Sequence, residues 1–312
     1  MSRGEGRRSA SPLSAVWIGD YGADIGAHVF PTEKYRRVRD TLVEEGTLRA
    51  DAIREPDPAD REQLARVHTD EYLRKIRERD FSRRELLTLE VPLTDEFRRA
   101  SLLCAGGSIL AARTALEEGV CLHIGGGFHH AFPDHGEGFC LVHDVAVAIR
   151  EVQAAGGVER AAVVDCDVHH GNGTAAIFAD DERVFTFSMH QKRNYPFHKP
   201  PGDLDLGLRD GIRDDAYLSI LEDRLPPVLE RHRPELVFYL AGADPYGEDQ
   251  LGGLSLTKGG LRARDERVLE ACREAGAPVA VCLAGGYAVR LRDTVEIHCN
   301  TGRACAEART RV

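Results

Sequence analysis

The chain has 312 residues, 42% of them hydrophobic and 29% charged, which is enough to bury a sizeable core without staples. Its formal net charge is 41 − 51 = −10, which argues against a nucleic-acid-binding protein and suits a cationic substrate. No run of 18 apolar residues occurs, so no membrane span is expected.

Residues 1–14, MSRGEGRRSASPLS, lack the apolar stretch of a signal peptide and read as a disordered tail before one domain over 15–312. Apolar runs at 15–18, 120–124, 161–164, 184–187, 236–240 and 279–284 are rich in β-branched and aromatic residues, as expected of strands buried on both faces. Helical patterns cover 33–45, 59–79, 95–118, 143–155, 214–231 and 257–274, with Asp95 and Thr257 as N-cap residues. Pro-containing stretches at 55–58 and 195–201 read as loops, as does 85–97. The alternation predicts a single-domain α/β fold, a parallel sheet with helices on both faces. The eight cysteines form no C-x-x-C pair, and several sit in apolar runs such as Val281-Cys282-Leu283. They read as buried thiols in a reducing, cytoplasmic compartment.

In such sheets ligands bind beyond the carboxyl ends of the strands, and the polar clusters of this sequence lie there. Run 120–124 leads into Gly125-Gly126-Gly127-Phe128-His129-His130, and run 161–164 into Asp165-Cys166-Asp167-Val168-His169-His170-Gly171-Asn172. Run 184–187 leads to Ser188-Met189-His190, run 236–240 to Asp244, and run 279–284 to Gly285-Gly286-Tyr287.

On an extended segment Asp167 and His169 point to one face. With Asp244 from another strand end they make two carboxylates and an imidazole, a three-ligand catalytic metal set. Oxygen and nitrogen donors suit Zn²⁺, with Fe²⁺, Co²⁺ or Mn²⁺ as alternatives. A lone D-x-H is more often chance; a second His pair and a third strand-end Asp make chance a poor account. A neutral imidazole of the His129-His130 pair can accept a proton, and an imidazolium can return one to a leaving amine. Asp165 and Asn172 are suited to orient the two rings, and a carboxylate behind only one ring would separate their basicities. Tyr287 could donate to an oxyanion, although a tyrosine capping the sheet is equally common. His190 reads as structural, and His28, His68 and His298 as surface or satisfied core residues.

Together these segments resemble the zinc-dependent histone deacetylases. HIGGGFHHAFPDHGEGFC is similar to that family's tandem-His motif, VVDCDVHHGNG to its metal motif, and LAGADPYGEDQLGGLSLTKGG and LAGGY to its later metal-Asp and Tyr motifs. The wording looks most like the class IV branch and related bacterial proteins. The resemblance covers roughly residues 15–300. It implies the arginase/deacetylase fold, zinc on Asp167, His169 and Asp244, and His129 and His130 as acid/base residues backed by Asp165 and Asn172. It also implies Tyr287 as the carbonyl-polarising group, and a tunnel lined by Gly138 and Phe139 with Phe128 at its floor. An inner potassium site would use Asp165, Asp167, Ser188 and backbone oxygens of His169 and Met189.

Two departures stand out. Many members carry Asp where this chain has Asn172, and the acid that holds the substrate backbone in some relatives has no clear counterpart in the 85–97 segment. Leu251 falls where polyamine-selective members carry an acidic gatekeeper, so an acylated lysine peptide or protein is expected over a small acylated amine. Glu248 and Asp249 are other acids that could supply the missing charge. The rivals are an arginase-like binuclear hydrolase and an inactive scaffold. The first needs bridging carboxylates where Gly171 and Tyr246 stand; nothing in the ligand set supports the second.

Overall fold

A computed structural model describes residues 12–309. Of the tail expected over 1–14, residues 1–11 lie outside the described residues, and Ser14 already belongs to the first strand. Eight strands form one sheet: β1 (Ser14–Val16), β2 (Ile53–Arg54), β3 (Val120–His123), β4 (Ala161–Asp165), β5 (Val184–Gln191), β6 (Leu204–Leu208), β7 (Leu236–Leu240) and β8 (Val279–Cys282). Their order is β2-β1-β3-β8-β7-β4-β5-β6, and every pairing is parallel.

The expected central strands are all present, and β3, β4, β7 and β8 are buried along their whole length. Two strands were not anticipated. β6 alternates half-buried and exposed residues, the signature of an edge rather than a core strand, and β2 has only two residues. β5 also runs on through Ser188, Met189 and His190, which were expected just beyond it.

The helices are α1 (Lys34–Glu44), α2 (Arg61–Leu64), α3 (Asp70–Glu78), α4 (Arg83–Leu89), α5 (Asp95–Glu118), α6 (Asp144–Ala154), α7 (Asn172–Phe178), α8 (Asp214–His232), α9 (Lys258–Glu274) and α10 (Leu291–Arg309). α5 packs on α6 and against β1, β3 and β8; α8, α9, α10 and α1 pack in succession, with α10 also on β3. The helix expected over 59–79 is two, because Thr69 caps a new start by accepting from the Tyr72 amide. The loop expected over 85–97 is mostly helical: α4 begins with a capping box between Ser82 and Glu85, and only 90–94 separate it from α5. Thr257 caps α9 as expected, but Thr94 rather than Asp95 caps α5, accepting from the Phe97 amide.

All eight cysteines are free and buried. Among the described residues no helix is long and apolar enough to cross a membrane. β7 lies in the interior of the sheet and is buried along its whole length, with Phe238 fully buried. Phe238→Ala is expected to lower unfolding free energy by about 3–5 kcal/mol, the range for removing a buried aromatic ring; urea unfolding followed by circular dichroism measures it.

Candidate active site

The strand registers set five residues at one height across the sheet: His123, Cys282, Leu240, Asp165 and Ser188. The polar segments leave the sheet from this row and converge. Asp167, His169 and Asp244 are all buried, and their ligand atoms lie within 4.8 Å of one another. His169 Nδ1 is 3.0 Å from Asp167 Oδ1 and 3.4 Å from Asp244 Oδ2. Backbone amides hold the outer oxygens: Gly285 donates to Asp167 Oδ2 at 2.9 Å and Val168 to Asp244 Oδ1 at 2.9 Å. Asp244 Oδ2 is buried with no hydrogen-bond partner among the described residues. An orphaned carboxylate oxygen aimed at an imidazole and a second carboxylate fits a cation-binding set.

The electrostatics agree. Burial disfavours charge on His169, but the hydrogen bond to Asp167 and the nearby Asp244 carboxylate outweigh it and hold its pKa up at about 10. Burial and the neighbouring Asp167 push Asp244 above the usual carboxylate range. Asp167 is held well below that range: burial opposes this, and His129 and His169 overcome it. Gly285 can have no side chain, because a Cβ there would collide with the carboxylates of Asp244 and Asp167.

Beside this group lie the paired imidazoles. His129 Nδ1 contacts Asp165 Oδ2 at 2.6 Å and His130 Nδ1 contacts Asn172 Oδ1 at 2.6 Å, while the two Nε2 atoms are 3.1 Å apart. His129 Nε2 is 3.8 Å from Asp167 Oδ1. The loop that delivers both rings is fixed by Asp144, whose carboxylate accepts from the amides of Gly127 and Phe128 at 3.0 and 2.8 Å. Gly127, at φ +84, passes so close to Ala284 that a Cβ would sit 2.8 Å from its methyl. The rings differ in basicity. Burial opposes charge on His129, yet Asp165 and Asp167 raise it to about 9. Burial, reinforced by His129 and His169, pushes His130 well below the ordinary histidine value.

Tyr287, Phe128, Gly138, Phe139, His129, His130 and Asp167 line one pocket. Burial and the charges of Asp167 and Asp244 keep the Tyr287 phenol protonated. Leu251 is half-buried and does not line this pocket; its carbonyl accepts from Asn194 Nδ2 at 2.7 Å. Neither alternative acid is free: Asp249 accepts from the amides of Tyr287, Leu251 and Gly252, and Glu248 pairs with Arg290 at 2.6 Å. Ser188 and Met189 sit in β5 beside Asp165, with Ser188 Oγ 3.0 Å from His190 Nδ1.

The histone deacetylase domain model matches residues 28–301 of this chain. The chain belongs to the histone deacetylase family. It is 41% identical over 293 residues to an uncharacterized protein of Picosynechococcus, covering 94% of this chain and 98% of that one. It is 33% identical over 269 residues to histone deacetylase 2 of Arabidopsis thaliana, covering 83% and 70%. To the histone deacetylase-like amidohydrolase of Pseudomonas aeruginosa it is 32% identical over 280 residues, covering 83% and 72%. The crystal structure of an HDAC homolog complexed with SAHA matches with TM-score 0.82 at 25% identity over 97% of this chain and 85% of that one. The architecture is the arginase/deacetylase fold, and membership of the deacetylase family makes the chain a deacetylase-type hydrolase.

Several residues in this family member's site were not singled out from sequence. Lys34, fully buried at the start of α1, donates to the Ala284 carbonyl at 2.7 Å and lies 5.7 Å from the Tyr287 ring centroid. Burial lowers its pKa to about 8 against the pull of Asp244, Asp167 and Asp249. Arg264, also fully buried, donates to the carbonyls of Gly242 (2.6 Å) and Cys166 (3.2 Å), bracing both metal-side loops. Glu90 lies beside Phe139: the Leu89 carbonyl accepts from the Phe139 amide, and His28 joins the Glu90 carbonyl to the Phe139 ring. Burial and the Glu137 carboxylate raise the Glu90 pKa.

Of the histidines set aside, His68 is a satisfied core residue, bonded to the Phe132 carbonyl and the His143 amide. His28 is half-buried, with both ring nitrogens bonded. His190 is buried and packs on His170. His298 corrects the expectation: it is fully buried, and neither ring nitrogen has a hydrogen-bond partner among the described residues.

Proposed function

We propose that the chain is a zinc-dependent deacylase that hydrolyses the amide of an acylated lysine in a peptide or protein. The observation that carries this is the orphaned Asp244 Oδ2 in the Asp167–His169–Asp244 group, set against two imidazoles whose Nε2 atoms are 3.1 Å apart. Asp167, His169 and Asp244 would hold the metal, with zinc the best fit to the donors and Fe²⁺ or Co²⁺ as substitutes. When bound, it supplies Lewis acidity toward an acyl oxygen and toward water.

The chain's own groups do the rest. One Nε2 of the His129–His130 pair accepts the water proton, and the protonated ring returns it to the departing amine. Asp165 and Asn172 keep the two rings facing the centre. Tyr287 donates to the developing oxyanion. Gly138, Phe139 and Phe128 take the methylene stem, each buried CH₂ contributing about 0.8 kcal/mol. Potassium would sit among Asp165, Asp167, Ser188 and the carbonyls of His169 and Met189. Eight unpaired, buried thiols favour a reducing cytoplasm as the working compartment.

A second reading, a small acylated polyamine, is favoured by Glu90, whose backbone neighbours Phe139 through His28 and whose carboxyl feels the Glu137 charge. The two readings separate in one measurement: kcat/KM for acetyl-lysine peptide, myristoyl-lysine peptide and N-acetylspermidine at equal metal loading. A lysine peptide is expected to be the better substrate. Hydrolysis of the polyamine ten-fold or more faster than both peptides, about 1.4 kcal/mol at the transition state, would reverse the assignment.

A further inference from the structure

Asn172 poses a difficulty that the rest of the site does not. A carboxylate behind an imidazole can only accept, so it leaves the ring one tautomer. A carboxamide can turn over and present either its oxygen or its NH₂. With Nδ2 toward His130, the ring would have to accept at Nδ1 and carry its proton on Nε2. It would then face the reaction centre without a lone pair.

The structure closes that alternative from outside. Asn172 Nδ2 donates to Glu137 Oε1 at 2.8 Å, and its Oδ1 is thereby turned toward His130 Nδ1 at 2.6 Å. The same Oε1 accepts from Tyr195 OH at 3.0 Å, and His135 Nε2 stands 3.5 Å from Oε2. Tyr195 presents its ring edge-on to His130 at 5.0 Å between centroids. Burial disfavours charge on Glu137, but His135, Asn172 and Tyr195 together hold its pKa below the usual value, so the group is an acceptor at neutral pH.

We propose that Glu137 is a positioning residue: through Asn172 it fixes the Nδ1–H tautomer of His130 and keeps His130 Nε2 unprotonated at the reaction centre. The carboxylate that many family members place directly behind this ring is here one residue further out. The inference rests on the deacylase reading for its effect on rate, but the tautomer itself is independent of any substrate.

The test is a swap. Glu137→Gln frees the amide to turn. Asn172→Asp sets two carboxylates against each other. The double variant restores one obligate acceptor behind His130, and the carboxamide introduced at position 137 donates to it. In the zinc-loaded protein, ¹⁵N spectra of the imidazoles should show His130 protonated at Nδ1 in the wild type, a loss of that state in Glu137→Gln, and its return in the double variant. With bound zinc and KM unchanged, kcat should fall at least about tenfold in Glu137→Gln and recover most of the loss in the double variant. An Nδ1–H tautomer retained in Glu137→Gln, or a double variant no better than Glu137→Gln alone, overturns the proposal. A wild type inactive on every acyl-amine, with the tautomers shifting as described, overturns the deacylase reading and leaves the positioning role standing.

Discussion

Asp244→Asn is expected to give a folded protein that has lost both metal binding and turnover. The substitution is nearly isosteric, and Oδ1 can still accept from the Val168 amide, so the β7 end should keep its path. What changes is the other atom. In place of the unpartnered Oδ2, 3.4 Å from His169 Nδ1, an NH₂ would point its protons at the position where a cation belongs. Loss of an outer partner of a metal ligand costs up to about 100-fold in affinity or activity, and loss of a ligand itself should cost more. Metal content by mass spectrometry, thermal melting and kcat/KM on one preparation measure the three quantities together. Full activity in a metal-free preparation would sink the metal assignment, and a collapsed melt would make the loss a folding effect.

Tyr287→Phe is expected to reduce kcat by about 10²–10³ while metal and substrate still bind, the usual effect of removing one oxyanion donor. The geometry makes this a clean deletion. The backbone of Tyr287 is pinned by its amide to Asp249 Oδ2 at 2.7 Å and by its carbonyl to Gln250 Nε2 at 2.8 Å, neither of which the substitution touches. Its ring packs edge-on against Phe139, with centroids 5.9 Å apart, and phenylalanine keeps that contact. Single-turnover kinetics isolate the chemical step. A wild-type rate there would remove Tyr287 from the reaction and leave it as a wall of the pocket.

The parallel core and the strand-end residues could be read from sequence because each obeys a local rule. A short apolar run such as LVFYL has few alternatives in a chain this size, and the residues after it must emerge at the sheet's carboxyl edge. The edge strands failed that rule for a physical reason: β6 reads LDLGL and is buried on one side only, so it carries no continuous apolar signal. α4 was missed although its capping box, Ser82 with Glu85, stands in the sequence, because a helix of seven residues spans barely two turns and shows little of an amphipathic repeat. The supports of the site were invisible for a different reason. Lys34 meets Ala284 across 250 positions, and Glu137 meets Asn172 and Tyr195 across 35 and 58. No spacing rule joins such residues; only the assembled sheet does.

The strand order also bears on biogenesis. β8 lies between β3 and β7, so the last strand of the chain fills the middle of the sheet. As the polypeptide leaves the ribosome, β2-β1-β3 and β7-β4-β5-β6 can each form, but each half presents a bare hydrogen-bonding edge along β3 or β7 until residues 279–282 arrive. The same late segment brings the Gly285 amide to Asp167 and carries Tyr287. Nascent chains shorter than this therefore lack both Tyr287 and the Gly285 contact to Asp167 and are open to edge-to-edge association, and the same segment that covers the bare edges brings these residues to the site.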